Sequence, residues 1–329
     1  MRKTVVALAL AIAWVVPRAE AQTYEMTLAG ASPGGLWSLL GVGVDRAVKG
    51  SFPGSTITYQ TTGGGVANVG LVEQKRAEMG LVHNAEMRLA LNGAPPFRAP
   101  AKDLTALAYL YNWAPMQFLL TKEFAETHGI KSFEDIAVKK PPIRVALNRR
   151  GNIAQAVAEE MFGAIGVTAD TIKSWGGTVV LAASEEQADL IRDRRIDGIF
   201  NSLFVGQRSL QEVGQSIDVV LLPVGAATIQ KVSDKLGIDA YVIPAKSYAF
   251  QPAPVPTVSL GALLVVNKAM NDKDAYNLAK ALVENIEQIQ GIHASMKALT
   301  PQFLTQQKVL PYHPGAVKLY QERGLRPAS

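Results

Sequence analysis

Short runs of β-branched and apolar residues alternate with longer segments of helical periodicity along this chain, and this alternation limits the folds open to it. The order is typical of an α/β protein with mainly parallel sheets. A chain of 329 residues also exceeds what one hydrophobic core usually serves, so we expect two lobes. The predicted strands are 25–29, 55–60, 79–82, 105–111, 117–121, 143–146, 178–182, 198–201, 219–223 and 259–266. The main predicted helices are 36–49, 68–75, 153–163, 184–194, 273–290 and 315–323.

Two stretches are the predicted connections between the lobes. Trp113-Ala114-Pro115 interrupts the apolar pattern of 112–121, and three prolines alternate with other residues in 250–260. Proline stiffens extended chain and cannot donate a backbone hydrogen bond, so it suits a connector better than a sheet centre. We therefore predict two hinge strands joining lobe I, residues 22–115 plus 257–329, to lobe II, residues 116–256.

Residues 1–21 have the composition of a secretory signal peptide. Arg2 and Lys3 precede an apolar run over 5–16, and Ala19-Glu20-Ala21 supplies small residues for cleavage. The apolar run is shorter than the roughly 20 residues that span a bilayer. We expect cleavage after Ala21 and an exported, soluble periplasmic protein. With no cysteine in the chain, disulfides, thiolate metal sites and a lipid-modified cysteine are excluded.

The charge of the chain is mildly positive and dispersed. Residues 1–21 contain three basic residues and one acidic residue, so their removal changes the net charge from +5 to +3. Lysines and arginines form no stripe and no aromatic ladder lies among them, so a nucleic-acid partner is not expected. The balance is a weak indication of a small anionic ligand.

Two glycine-rich turns each follow a predicted strand and open a helix. Glycine lets backbone N–H groups approach a ligand closely, and a helix start carries partial positive charge, so a carboxylate or phosphate could bind there. The first turn has neither the P-loop nor the dinucleotide-binding pattern, and a plain β-to-α turn remains its alternative. The candidate ligand contacts are Ser32, Gly34, Gly35 and Trp37 in the first turn, and Thr62, Gly63 and Gly64 in the second.

Further polar residues follow other predicted strands and are expected at the same carboxyl edge, where α/β proteins bind ligands. They are Asn84 in lobe I and, in lobe II, Arg149, Arg150, Asn152 and Asn201. An arginine can hold a carboxylate with two parallel hydrogen bonds, although arginines on a loop are also commonly solvated. Tyr241, with Trp37, is a candidate to cover the ligand, or else a core or rim aromatic.

The sequence offers little for catalysis. The four histidines, His83, His128, His293 and His313, have no metal-ligand spacing, and the nucleophile motifs of serine hydrolases are missing. We expect no catalytic residues, no metal and no cofactor. His83 is the one histidine expected near the cleft.

Taken together, these segments resemble the solute-binding proteins of TAXI-type TRAP transporters over essentially the whole chain after residue 21. The resemblance rests on 30–41, on Thr62-Gly63-Gly64-Gly65-Val66 with Asn68, on Gly80-Leu81-Val82, on Ile196-Asp197-Gly198, on Val255-Pro256-Thr257-Val258, and on His313-Pro314-Gly315-Ala316 with Tyr320, Glu322 and Gly324.

This resemblance implies a class II periplasmic-binding fold, a cleft that closes on its ligand, and integral membrane TRAP subunits as partners of a monomeric receptor. It also implies glutamate-like amino acids or dicarboxylates such as 2-oxoglutarate as ligands. The chain departs from the family at Trp37-Ser38, at Leu39 and at Arg149-Arg150, where the family has a tyrosine pair, a proline and small residues. The two arginines favour a more anionic ligand. A periplasmic ligand sensor, and less so an enzyme, are the alternatives.

Overall fold

A computed structural model describes residues 22–31 and 36–328 of the chain. Its ten strands are β1 (Glu25–Ala29), β2 (Thr56–Gln60), β3 (Met79–His83), β4 (Leu104–Thr121), β5 (Arg144–Leu147), β6 (Thr178–Leu181), β7 (Gly198–Ser202), β8 (Val219–Leu221), β9 (Asp239–Ile243) and β10 (Val255–Asn267). The predicted strand positions are confirmed within a few residues, and β9 is an additional strand.

Thirteen α-helices occur in the described ranges. They are α1 (Leu36–Ser51), α2 (Gly65–Glu73), α3 (Asn84–Asn92), α4 (Lys122–His128), α5 (Asp135–Lys139), α6 (Ile153–Ala164), α7 (Ala169–Ser174), α8 (Ser184–Arg192), α9 (Arg208–Ser216), α10 (Ala226–Leu236), α11 (Asp272–Glu284), α12 (Ile286–Gln290) and α13 (Pro314–Glu322). The predicted helix 273–290 is divided at Asn285. None of the helices described is both long and apolar enough to cross a membrane.

The strands form a curled mixed sheet in the order β2-β1-β3-β10-β4-β7-β5-β6. Parallel strands β1, β2 and β3 belong to lobe I, and parallel strands β5, β6 and β7 belong to lobe II. The long strands β4 and β10 lie between these two groups and run antiparallel to β7 and β3 respectively. The expected class of fold, two α/β lobes joined by two hinge strands, is therefore confirmed.

Strand β4 continues through Trp113-Ala114-Pro115, so the predicted interruption there is wrong. Its pairing partner changes instead: Pro115 lies opposite Ser259 of β10, and Met116 lies opposite Ser202 of β7. Proline has no backbone N–H to donate. It is tolerated at position 115 because the pairing of β4 with β10 ends there and the pairing with β7 begins at the next residue. We propose that the chain changes lobe at this point, as in the division 22–115, 116–256 and 257–329.

Successive residues of the lobe II strands belong to two different hydrophobic clusters. Phe118 and Phe200 belong to one cluster, whereas their neighbours Leu119 and Ile199 belong to another. Because successive residues of a strand point to opposite faces, these clusters cover the two sides of the lobe II sheet. Lobe I has one large cluster of its own, and Phe204 from the end of β7 packs into it.

Candidate functional site

The carboxyl ends of the parallel strands of both lobes face each other across the hinge. In lobe I, His83 at the end of β3 lies opposite Ala262 of β10. Strand β4, the other neighbour of β10, continues from this level toward lobe II. In lobe II, Ser202 at the end of β7 lies opposite Met116, the first residue of β4 that pairs with this lobe. Helices begin at these strand ends, and we expect their N-termini and the connecting turns to border one interlobe cleft.

In the first glycine-rich turn, Ser32, Gly34 and Gly35 lie outside the described residues. Trp37, in the first turn of α1, is buried, and its Nε1–H donates to the Tyr111 hydroxyl at 3.1 Å. Trp37 thus joins the start of α1 to the hinge strand β4. Its predicted contact with a ligand stays a prediction.

The second glycine-rich turn is tied to the first by side-chain hydrogen bonds. The Thr62 hydroxyl donates to the Gly30 carbonyl at 2.6 Å, and Asn68 Nδ2 donates to the same carbonyl at 2.7 Å. The Gly64 N–H donates back to Thr62 Oγ1 at 3.0 Å. Gly64 has φ of 100°, which a side chain would strain. Thr62 and Gly64 therefore shape this turn, while Gly63 is exposed on it.

A cluster of polar aromatic and charged side chains lies at the lobe I edge of the cleft. Glu86 is buried and accepts from the His83 N–H at 3.0 Å, and its Oε2 lies 3.1 Å from His83 Nδ1. His83 stacks at a tilt on Trp37, with ring centroids 4.6 Å apart. Tyr111 Oη is 3.5 Å from His83 Nε2. We call Trp37, His83, Glu86 and Tyr111 the His83 cluster.

Burial controls the protonation of Tyr111 in this cluster. Removal of its hydroxyl from water raises the pKa of Tyr111 above the usual tyrosine range, and the Trp37 hydrogen bond opposes this shift only in part. The hydroxyl therefore keeps its proton and is available as a hydrogen-bond donor.

The Glu86 carboxylate occupies the space at the N-terminus of α2. A Cβ atom on Gly65, the first residue of this helix, would lie 1.8 Å from Glu86 Oε2. Only glycine leaves room for the carboxylate, which gains from the partial positive charge of the helix start. Glu86 therefore lies beside the turn formed by Thr62, Gly63 and Gly64, whose predicted ligand contacts stay predictions.

In lobe II, Asn201 is completely buried and saturated with hydrogen bonds. Its Oδ1 accepts from Asn148 Nδ2 at 3.0 Å and from the Ser202 N–H at 2.9 Å. Its Nδ2 donates to Ser184 Oγ at 2.9 Å and to Gln187 Oε1 at 3.1 Å. Asn201 holds three strand-to-helix turns together, and this network would have to open before Asn201 could bind a ligand directly.

The other lobe II candidates lie on the exposed turn between β5 and α6. Asn152 caps α6, because its side chain accepts from the Ala154 N–H at 2.8 Å. Arg149 is 69% exposed and lies 3.7 Å from Glu186, a distance that leaves the guanidinium largely free. Arg150 is exposed. The predicted guanidinium groups are therefore accessible at the lobe II edge.

The two remaining candidates contribute to the hinge region. Asn84 is buried; its Oδ1 accepts from the Gly261 N–H at 3.1 Å, and its Nδ2 donates to the Gly237 carbonyl at 3.4 Å. Tyr241 is half-buried on β9, opposite Thr257 of β10, and burial raises its pKa. Both residues therefore lie against β10, Asn84 through its hydrogen bond to Gly261 and Tyr241 through strand pairing. Their predicted ligand contacts stay predictions.

A groove of about 940 Å³ lies at the opposite edge of lobe II. It includes the ends of β4 and the starts of β5, β7 and β8, and none of the predicted site residues. Four of its charged groups form ion pairs with each other, Arg144 with Asp197 at 2.6 Å and Lys122 with Glu126 at 3.8 Å. We favour the cleft, since its polar groups come from both lobes. Among the described residues, no group of His, Cys, Asp or Glu could hold a metal ion.

Solved structures share this architecture at low sequence identity. MatC from Rhodopseudomonas palustris with bound malate is similar with a TM-score of 0.56 and 13% identity, covering 91% of this chain and 95% of that one. A TctC solute-binding protein from Polaromonas gives 0.54 and 13%, covering 85% and 90%. PhnD1 from Prochlorococcus marinus with methylphosphonate gives 0.51 and 11%, covering 82% and 89%.

A family model extends over nearly the whole described chain. The model of the NMT1-like family matches residues 28–324, a range that includes both lobes, both hinge strands and the cleft between them. The TAXI subfamily, which is expected from short motifs, stays a prediction within this match. The chain belongs to the NMT1-like family.

Proposed function

We propose that this protein is a periplasmic solute-binding protein, which captures a small anionic metabolite between its lobes and delivers it to a membrane transporter. The observation that supports the proposal is the register of the hinge strands, by which the carboxyl ends of the parallel strands of both lobes face each other. Closure of two lobes around a solute buries its polar groups against backbone and side-chain donors. No reaction of the solute is needed.

The anionic character of the ligand is supported by charge. Arg149 and Arg150 are exposed on the lobe II edge of the cleft, and a guanidinium binds a carboxylate or phosphonate by paired hydrogen bonds. Two structures of similar fold contain malate and methylphosphonate, which both have acid groups. We propose a dicarboxylate such as malate or 2-oxoglutarate, or a glutamate-like amino acid.

Export and delivery complete the proposal. Residues 1–21 have the pattern of a signal peptide, which would carry the protein to the periplasm. The motifs shared with TAXI proteins favour TRAP-type integral membrane subunits as the partners, with the binding protein acting as a monomer.

The experiment is a thermal-shift screen of the chain after residue 21 against malate, 2-oxoglutarate, glutamate and methylphosphonate. A ligand that binds only the folded state raises the unfolding midpoint in a saturable way, by about 2.7 kcal/mol of stability at one hundred times its dissociation constant. Recovery of the unchanged compound by mass spectrometry distinguishes binding from turnover. A flat response to all four anions would contradict the proposed ligand class, and conversion of the compound would contradict a pure binding role.

A further inference from the structure

The His83 cluster contains one side chain that reaches solvent. The His83 side chain is 19% exposed, whereas that of Glu86 is 5% exposed, and Trp37 and Tyr111 are buried. His83 also caps α3 at the end of β3, on the cleft edge that the proposed function assigns to the ligand. Its ring is therefore the part of the cluster that a solute can contact.

The hydrogen bonds around His83 define where its protons lie. As a carboxylate, Glu86 only accepts, so the ring nitrogen Nδ1 at 3.1 Å carries the hydrogen of that bond. Tyr111 Oη accepts from Trp37, so its own hydrogen is available for the neighbouring His83 Nε2. In the neutral ring Nε2 is thus the acceptor, and its 3.5 Å contact with Tyr111 is long for a hydrogen bond.

An anionic solute placed at Nε2 meets the wrong electrostatics while His83 is neutral. It would face a ring lone pair, with the negative charge of Glu86 on the far side of the imidazole. A proton on Nε2 removes both problems, because the imidazolium donates to the solute and is paired with Glu86 through Nδ1. Among the described residues, the titratable groups in contact with His83 are Glu86 from α3 and Tyr111 from β4; α1 contributes Trp37 and β10 contributes Ala262.

We propose that His83 binds an ionised acid group of the solute through Nε2 and takes up one proton from solvent as it does so. This inference rests on the proposed function and adds a residue and a proton linkage to it. Release of the solute returns the proton to solvent. The affinity for an anion therefore weakens as the pH rises, since fewer rings carry the second proton.

The test is calorimetric titration of the chain after residue 21 with malate, 2-oxoglutarate and glutamate in phosphate and in Tris. These buffers differ in ionisation enthalpy, so the difference in apparent binding heat gives the protons taken up. At about pH 7.5 we expect the wild-type protein to take up a measurable amount of protons on binding, up to about one per bound anion. This measurement needs no variant.

Two histidine variants then assign the proton. In His83→Gln we expect the uptake to disappear and the affinity at about pH 6 to fall about tenfold or more, the effect of losing one charge-assisted hydrogen bond. His128→Gln is the matched control, because His128 lies in α4 at the far edge of lobe II, stacked on Phe124. It should leave uptake and affinity unchanged.

The outcomes separate the two proposals. Binding by the wild-type protein without proton uptake, or uptake that persists in a folded His83→Gln protein, overturns the role of His83 and leaves the solute-binding function standing. Failure of the wild-type protein to bind any of the three anions overturns the proposed ligand class itself. Glu86→Gln adds an independent reading: it keeps the imidazole but removes its anionic partner, so we expect proton uptake to decrease.

Discussion

The ring of Phe204, just past the end of β7, meets the ring of Tyr111 on the hinge strand edge-on, with centroids 5.1 Å apart. Phe204 also lies 5.3 Å from the ring of His293, which follows α12. A residue of the lobe II chain thus packs within the hydrophobic cluster of lobe I. The contact joins the lobes directly beside the His83 cluster.

Replacement of this ring should destabilise the protein. Phe204 is 5% exposed, so Phe204→Ala should lower the free energy of unfolding by about 3 kcal/mol, as expected for deletion of a buried aromatic ring. Urea denaturation measures this loss. Phe97→Ala, which removes a half-buried ring of lobe I, should cost clearly less, and an equal cost for both would argue against a special interlobe contact.

Two glycines of α2 should respond in opposite ways to alanine. Gly65→Ala forces a methyl group against the buried Glu86 carboxylate, and we expect a loss of about 2 kcal/mol from this overpacking. A Cβ atom added at Gly70 would meet no other atom within 4 Å, so Gly70→Ala should stabilise the helix by about 0.5–1 kcal/mol. Thermal denaturation of the pair checks the signs. A neutral Gly65→Ala would show that Glu86 moves freely.

Two hydroxyls on β10 form a second matched pair. Thr257 is buried and donates to the Met116 carbonyl at 2.8 Å, so Thr257→Val should cost about 1–2 kcal/mol. Ser259 is equally buried, but its hydroxyl has no partner among the described residues. Ser259→Ala should therefore be neutral or slightly stabilising. A large loss at Ser259 would reveal a partner for this hydroxyl in solution.

The exposed arginines of lobe II should affect affinity and not stability. Arg149→Ala combined with Arg150→Ala removes a long, exposed ion pair worth less than about 1 kcal/mol, whereas the affinity for a dicarboxylate should fall about tenfold or more. Calorimetric titration measures the affinity. Arg208→Ala, an exposed arginine paired with Glu212 in α9, is the control. Undiminished affinity of the double variant would remove the arginines from the site.

The fold was largely predictable from sequence because buried parallel strands are short, apolar and bounded by turn residues. Strand β9 is not among the predicted strands, although four of its five residues are apolar or aromatic; it is short, and only Ile243 is buried. The continuity of β4 was also missed, because Pro115 reads as an interruption unless the change of pairing partner is known. Short helices such as α5 and α7 carry too few turns to show a period.

The strand-to-helix turns that carry the candidate site are visible in sequence. Thr62, Asn152 and Arg149 lie on such turns in the structure, and their ligand contacts stay predictions. Glu86 had a detectable signal, its position three residues after His83 in a capping box. Tyr111 and Phe204 had none, because only the folded chain brings the hinge strand, α1 and the end of β7 together. The predicted ligand contact of Asn201 stays a prediction, and its hydrogen bonds in the structure are made within lobe II.

The most direct test of the account is the distance between the lobes with and without ligand. The chain has no cysteine, so Ala67→Cys on α2 and Glu159→Cys on α6, both exposed, would carry two unique spin labels. Pulsed electron paramagnetic resonance then gives the distribution of distances between them. Capture of a solute between the lobes predicts a shorter and narrower distribution at saturating ligand. An unchanged distribution, with a ligand that raises the unfolding midpoint, would contradict it.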